Sequence, residues 1–299
     1  MIRQETLPAT MLRAMRPHQW LKNLLIFLPL IASHSFFFAS IMQCLLAFLA
    51  FSLVASSVYI TNDILDIDVD RLHPRKRFRP FASGALSIRQ GRVMTLILIL
   101  AGALVAALVG KAFVLVWVAY LITTVAYSMV LKRVAILDIL VLSILYCVRI
   151  AAGGAALGIE ISYWLLSFSI FFFFFLAGIK RLAEILDHTE RGQTEIAGRG
   201  YRTGDQNSVS MISVGAGFVS IVVLALYVSS PDVVGLYAAP EFLWGTCVTL
   251  IYWVSYVILV TNRGEMHDDP IVFALKDVTS LICLAVVICF VLAAAGLPG

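Results

Sequence analysis

The sequence predicts an all-α polytopic membrane protein of nine transmembrane helices, with its N-terminus in the cytoplasm and its C-terminus outside. Three observations carry that expectation. Of 299 residues, 61% are hydrophobic and only 13% charged, against about a quarter charged in soluble domains, and mean hydropathy is +0.95. Apolar runs recur along the whole chain, each near the roughly 20 residues that a helix needs to cross a bilayer. Basic residues alternate from one connection to the next, as the positive-inside rule requires. The same arithmetic excludes a secreted disulfide scaffold, a nucleic-acid binder and a disordered chain.

The first run, 20–38, is interrupted by Lys22, Asn23 and Pro29. The others fall at 41–61, 92–110, 112–130, 136–158, 162–180, 208–229, 241–261 and 277–297. Of 22 Lys and Arg, all but Lys111 and Arg149 lie in the N-terminal segment through Lys22, or in or at the edge of alternate connections thereafter. That side is assigned to the cytoplasm, and an odd number of spans then puts the C-terminus outside. Two cytoplasmic connections, 62–91 and 181–207, are long and charged, so chemistry is expected at that face of a cell membrane. Residues 1–299 are expected to form one transmembrane domain. The first seventeen residues hold no apolar signal core, so no leader is expected to be removed. Cys44, Cys147, Cys247, Cys283 and Cys289 all lie in apolar runs without metal-ligand spacing, which suits small packing residues.

The second run leads into Asn62-Asp63-Ile64-Leu65-Asp66-Ile67-Asp68-Val69-Asp70-Arg71. On a helix, Asp63, Asp66 and Asp70 fall within about 60° of one another, Asn62 borders that face, and Asp68 points away. Three carboxylates beside an amide oxygen repel one another unless a cation is bound, and hard oxygen ligands suit Mg²⁺ completed by phosphate oxygens. Arg71, Arg75, Lys76, Arg77 and Arg79 follow within nine positions. Metal on one side and cations on the other is how proteins neutralise a diphosphate leaving group. Taken alone, the basic cluster fits anionic-lipid binding better; beside Asn62–Asp70 the balance reverses.

These residues resemble a known family. N-D-x-x-D-x-x-x-D at Asn62, Asp63, Asp66 and Asp70, with Arg79-Pro80-x-x-Ser83-Gly84 after it, is similar to the first acidic motif of the UbiA superfamily of intramembrane prenyltransferases. The expected nine helices and cytoplasmic loops are similar too. An ordinary member carries a second carboxylate motif after its sixth helix, whereas this chain has Lys180-Arg181-Leu182-Ala183-Glu184. That departure resembles the decaprenyl-phosphate 5-phosphoribosyltransferase branch. So do Arg16-Pro17-x-Gln19-Trp20-x-Lys22-Asn23, Tyr127-Ser128-x-x-Leu131-Lys132, Arg149-x-x-Ala152-Gly153-Gly154 and Asp268-Asp269-Pro270.

The resemblance implies Mg²⁺-dependent transfer of a phosphoribosyl group from phosphoribosyl diphosphate to a polyprenyl phosphate, for cell-envelope glycolipid synthesis. It implies metal ligation by Asn62, Asp63, Asp66 and Asp70, the three aspartates being catalytic. Substrate contacts are expected from Lys22, Arg71, Arg75, Lys76, Arg77, Arg79, Tyr127, Lys132, Arg149, Lys180, Arg181 and Glu184. The expected partners are those two substrates and the bilayer, with no nucleic acid, and the resemblance allows a homo-oligomer. Lys22 equally fits a cation snorkelling to the interface, Tyr127 an interfacial belt residue, and Asp138 a partner of Lys132 or Arg133. The remaining readings are a prenyltransferase moving a polyprenyl group to an aromatic acceptor, and a transporter. Against transport, Arg149 is the single ionisable candidate for mid-membrane depth.

Overall fold

A computed structural model describes residues 6–33, 36–72, 76–196, 198–266 and 269–296. Among these residues eight helices are long and apolar enough to cross a membrane. The chain divides into two compact units, 1–129 with 148–161, and 130–147 with 162–299.

The first unit opens with helix α1 (Leu7–Met15) and an 11-residue 3₁₀ helix, Pro17–Phe27, followed by the short α2 (Leu28–Ala32). This is where the expected first spanning helix departs from the sequence reading. Proline at position 29 has no N–H and crowds the carbonyl one turn earlier, so a continuous α-helix over 20–38 does not form. With three residues per 3₁₀ turn, positions three apart eclipse. Trp20, Asn23 and Ile26 therefore share one face, on which Asn23 and Ile26 are fully buried. Trp20 Nε1 donates to Ser56 Oγ at 2.9 Å and Asn23 Nδ2 to Ser52 Oγ at 3.0 Å. Those serines lie one turn apart on α3 (Phe38–Leu65), which α4 (Ile67–Leu72) extends.

Helices α5 (Ile88–Val109) and α6 (Lys111–Met129) pack on α3, and Trp117 Nε1 donates to the Ala50 carbonyl at 3.1 Å. Ser87 and Gln90 cap α5 reciprocally, satisfying two of its orphan N–H groups. Leu96, Leu100, Leu104 and Leu108 are exposed along one stripe of α5, while Leu98, Gly102 and Ala106 on the same helix are buried. Such an apolar outer stripe suits lipid as solvent.

Helix α7 (Leu137–Leu157) gives its residues up to Cys147 to the second unit and the rest to the first. The second unit also contains α8 (Tyr163–Glu190), α9 (Gln206–Val228), α10 (Pro231–Val234), α11 (Leu243–Asn262), α12 (Pro270–Ala274) and α13 (Val278–Ala295). Its core joins Ile139, Ala177, Leu182, Ile185, Ile196, Tyr201 and Val209. The phenylalanine run packs largely inward: Phe173 stacks on Tyr146 with centroids 4.8 Å apart, and Phe172 on Trp253 at 5.8 Å. All five cysteines are free thiols.

Helices α3 and α8 have 28 residues each, or about 42 Å of helix. The hydrocarbon core is about 30 Å thick, so each helix is long enough to carry its charged end beyond it. The second long connection therefore begins at residue 191 rather than 181.

At Gly178 on α8, a Cβ would collide with Oγ and Cβ of the buried Ser213 on α9. Glycine is what lets the two helices approach there. Gly178→Ala is expected to cost about 1–3 kcal/mol by overpacking, lowering the melting temperature in detergent, and Ser213→Gly should recover part of the loss. An unchanged melting temperature in the single variant would refute this packing.

Candidate active site

Asp63 lies at the end of α3 and Asp70 in α4, with side chains only 3% exposed. Backbone bonds from Asp66 N to Asn62 O (2.9 Å) and from Asp70 N to Asp66 O (2.8 Å) carry the helical path across the α3–α4 junction. Asp68 stands apart, its side chain 97% exposed and 3.6 Å from Arg71. Two guanidiniums meet the buried acids. Arg16 Nη2 is 2.5 Å from Asp63 Oδ1, while Arg79 Nη1 reaches the same oxygen at 3.3 Å and Asp70 Oδ2 at 2.6 Å.

Asp63 Oδ2 is buried without a hydrogen-bond partner among the described residues. Asn62 donates its amide to Ser128 Oγ at 3.0 Å, which turns its carbonyl oxygen away from that serine. Asp66, half-buried at the junction, makes no side-chain bond among the described residues. No group of three acidic, histidine or cysteine side chains converges there as ready metal ligands, and Arg79 bridging Asp63 to Asp70 is a physical reason why. The donors themselves fit a hard divalent cation: an orphaned carboxylate oxygen, an amide oxygen and an uncommitted carboxylate.

The remaining basic residues of this segment divide by setting. Arg71 Nε donates to the Ala82 carbonyl at 3.3 Å, and Arg77 lies over the Phe78 ring at 4.8 Å. Lys76 is exposed, and Arg75 lies outside the described residues. Arg149, on the part of α7 in this unit, is 7% exposed. Its Nε donates to Asn23 Oδ1 at 2.9 Å and its Nη2 to the Tyr120 hydroxyl at 2.8 Å, with the guanidinium 4.9 Å from the Tyr120 ring. Lys22 and Tyr127 are half-buried.

In the second unit, Lys180 and Arg181 diverge, because neighbours on a helix are rotated by about 100°. Lys180 Nζ donates to Asp269 Oδ2 at 2.9 Å; Asp269 Oδ1 accepts the Ile271 N–H and so caps α12. Arg181 is fully buried. Its Nε donates to Asp138 Oδ2 at 2.7 Å, its Nη2 lies 2.6 Å from that oxygen without an aligned hydrogen, and its Nη1 bonds the Glu184 carboxylate. Arg199 Nη1 holds the other Asp138 oxygen at 2.9 Å. Asp138, expected beside Lys132 or Arg133, thus joins α8 to the 191–205 connection. Lys132 is half-buried in the turn before α7. Arg16, Asp138, Arg199 and Asp269 were not among the expected site residues. Arg16 and Asp269 do fall in the motifs quoted above, but Asp138 and Arg199 carry no local signal.

Residues 24–276 match the UbiA prenyltransferase family. The chain belongs to that family. The chain is 38% identical over 279 residues to nodulation protein NoeC of Azorhizobium caulinodans, covering 92% of this chain and 90% of that protein. It is also 38% identical over 187 residues to the decaprenyl-phosphate phosphoribosyltransferase of Corynebacterium glutamicum, covering 61% of this chain and 56% of that protein. Across the curated relatives it matches, the chain spans from two-fifths to nine-tenths of their length, and about half of several. A UbiA homologue from Archaeoglobus fulgidus, solved with GPP and Mg²⁺, superposes with a TM-score of 0.70 at 15% identity, over 94% of this chain and 99% of that one. The UbiA fold and a multi-pass membrane protein follow.

Proposed function

We propose that this UbiA-family protein transfers a 5-phosphoribosyl group from phosphoribosyl diphosphate to a polyprenyl phosphate, releasing diphosphate. The observation that carries this reading is the character of the second charged region. Asp138, Glu184 and Asp269 each hold a cation, Arg181, Arg199 or Lys180. With a cation beside each carboxylate, this region lacks the bare carboxylates that a second metal site needs, and the partly exposed Lys180 is a cation it can present to a substrate phosphate. The likeness to decaprenyl-phosphate phosphoribosyltransferases supports the same branch.

Asn62, Asp63, Asp66 and Asp70 would hold Mg²⁺. When bound, the metal supplies charge neutralisation at the leaving diphosphate, the main demand of an oxocarbenium-like cleavage. Arg71, Arg75, Lys76, Arg77 and Arg79 add positive charge to the same segment. The C1–O bond to diphosphate breaks and a C1–O bond to the polyprenyl phosphate forms. That nucleophile is already anionic at neutral pH, so no strong general base is needed. Lys22, Tyr127 and Arg149 in the first unit, and Lys132, Lys180 and Glu184 in the second, orient phosphate and ribose groups. Arg181 enters this reading as a positioning residue rather than a substrate contact, because both carboxylates that surround it already take its charge.

In this reading the reaction takes place at the cytoplasmic face of a cell membrane. The 3₁₀ segment with α2 supplies a ninth crossing. Eleven residues at about 2.0 Å and five at about 1.5 Å give about 30 Å, the depth of the hydrocarbon core.

The test supplies the purified protein with labelled phosphoribosyl diphosphate, decaprenyl phosphate and Mg²⁺. Labelled lipid is expected, lost on chelation and restored by Mg²⁺. Product from a polyprenyl diphosphate and an aromatic acid instead would overturn the assignment and favour an aromatic prenyltransferase.

A further inference from the structure

The turn before α7 is held in a conformation its residues do not favour. Ile136 has φ +66°, a left-handed setting in which a β-branched residue is a genuine outlier. Strain of this kind persists only where surrounding contacts over-determine it, and it concentrates at functional sites. Three consecutive residues of the 191–205 connection supply those contacts. Arg199 Nη1 bonds Asp138 Oδ1 at 2.9 Å. Gly200 lies so close that a Cβ there would overlap the Arg133 carbonyl and meet the Ala135 nitrogen at 2.9 Å. The Tyr201 hydroxyl accepts the Ile136 N–H at 2.8 Å.

The grip is anchored from below. Tyr201 is 2% exposed and Ile196 4%, both within the core cluster of this unit. Burial pushes the Tyr201 phenol above its ordinary range, so its oxygen stays a neutral acceptor. The Arg181 guanidinium, which binds Asp138 from the α8 side, lies 5.4 Å from the same ring. Asp138, fully buried, is thus the common anchor of α8 and the connection.

We infer that Arg199-Gly200-Tyr201 clamps the strained 133–138 turn onto Asp138, and that this clamp positions Lys132 and Glu184 for a phosphate-bearing substrate. Lys132 directly precedes the clamped turn, and Glu184 shares Arg181 with Asp138. The inference rests on the proposed transfer reaction for its substrate and on the geometry alone for the clamp. Arg199, Tyr201 and Asp138 are positioning residues, since they act through Lys132 and Glu184.

The experiment uses the full chain in detergent, with Tyr201→Phe and Arg199→Gln as probes that leave the buried core filled. Hydrogen exchange of the 133–138 amides reads the clamp without any substrate. Steady-state kinetics with phosphoribosyl diphosphate and decaprenyl phosphate read its consequence. In both variants the turn amides should exchange faster. KM for phosphoribosyl diphosphate should rise about fivefold, the fold-change of one lost hydrogen bond, with kcat within about twofold. Adding Ile136→Gly to Tyr201→Phe should return KM toward the parent, because glycine adopts positive φ without strain. A merely structural tyrosine would not be rescued in that way. Unchanged exchange in both variants overturns the clamp. Faster exchange with unchanged KM overturns its positioning role. If the parent protein makes no phosphoribosyl lipid, the proposed reaction fails and the exchange result still decides the clamp.

Discussion

Asp66→Ala is expected to lower kcat by about 10²–10³, the usual consequence of removing one electrostatic group aimed at a developing charge. The fold should survive, because Asp66 makes no side-chain bond among the described residues and its backbone bonds continue whatever the side chain. Asp63→Ala should cost both rate and stability. Its carboxylate meets Arg16 and Arg79, and its removal leaves two half-buried guanidiniums competing for Asp70. Asp68→Ala should behave as the parent, its side chain being 97% exposed beside Arg71, where an ion pair contributes little. The measurement is kcat for the three variants across a Mg²⁺ series, alongside melting curves in detergent. Part of the Asp66→Ala loss should return at high Mg²⁺. Near-parental kcat in Asp66→Ala would refute the metal assignment, and a large loss in Asp68→Ala would put the acidic face on the wrong side of the helix.

The acidic face is legible in the sequence because its cause is local. Spacing of three and seven residues fixes angular position on any helix, and the structure duly buries Asp63 and Asp70 while leaving Asp68 in the open. The eight helices long and apolar enough to cross a membrane among the described residues are legible for the same reason, since apolar length is read directly. Failure begins where partners are remote. Arg149 finds Asn23 across 126 positions, Lys180 finds Asp269 across 89 and Arg181 finds Asp138 across 43. No local pattern encodes those meetings. Lys180 and Arg181 show this most clearly: side by side in sequence and both expected at the substrate, they are turned apart by the helix, one toward α12 and the other into the core. The first apolar run was legible in part, because Pro29 marks the break but nothing nearby announces a 3₁₀ helix of eleven residues.

That divergence predicts two unlike phenotypes from neighbouring substitutions. Arg181→Met should destabilise the protein by about 3 kcal/mol, as expected when one member of a buried ion pair is removed and its partner's charge is left behind. The partner here is Asp138, fully buried with one oxygen still held by Arg199. Loss of activity in this variant should follow loss of folded protein. Lys180→Ala should melt near the parent, because the Lys180–Asp269 pair is partly exposed, at 33% and 12% for the two side chains, and solvent screens such pairs. Its effect should appear as a raised KM that added Mg²⁺ does not repair. Asp138→Leu combined with Arg181→Met should recover stability relative to Arg181→Met alone, since apolar replacement of a buried pair removes the desolvation cost from both sides. Arg199, with 22% of its side chain exposed, can then turn to water. Melting curves of the single and double variants decide the matter. An Arg181→Met protein that melts with the parent but binds phosphoribosyl diphosphate weakly would return Arg181 to the substrate and refute its place in the core.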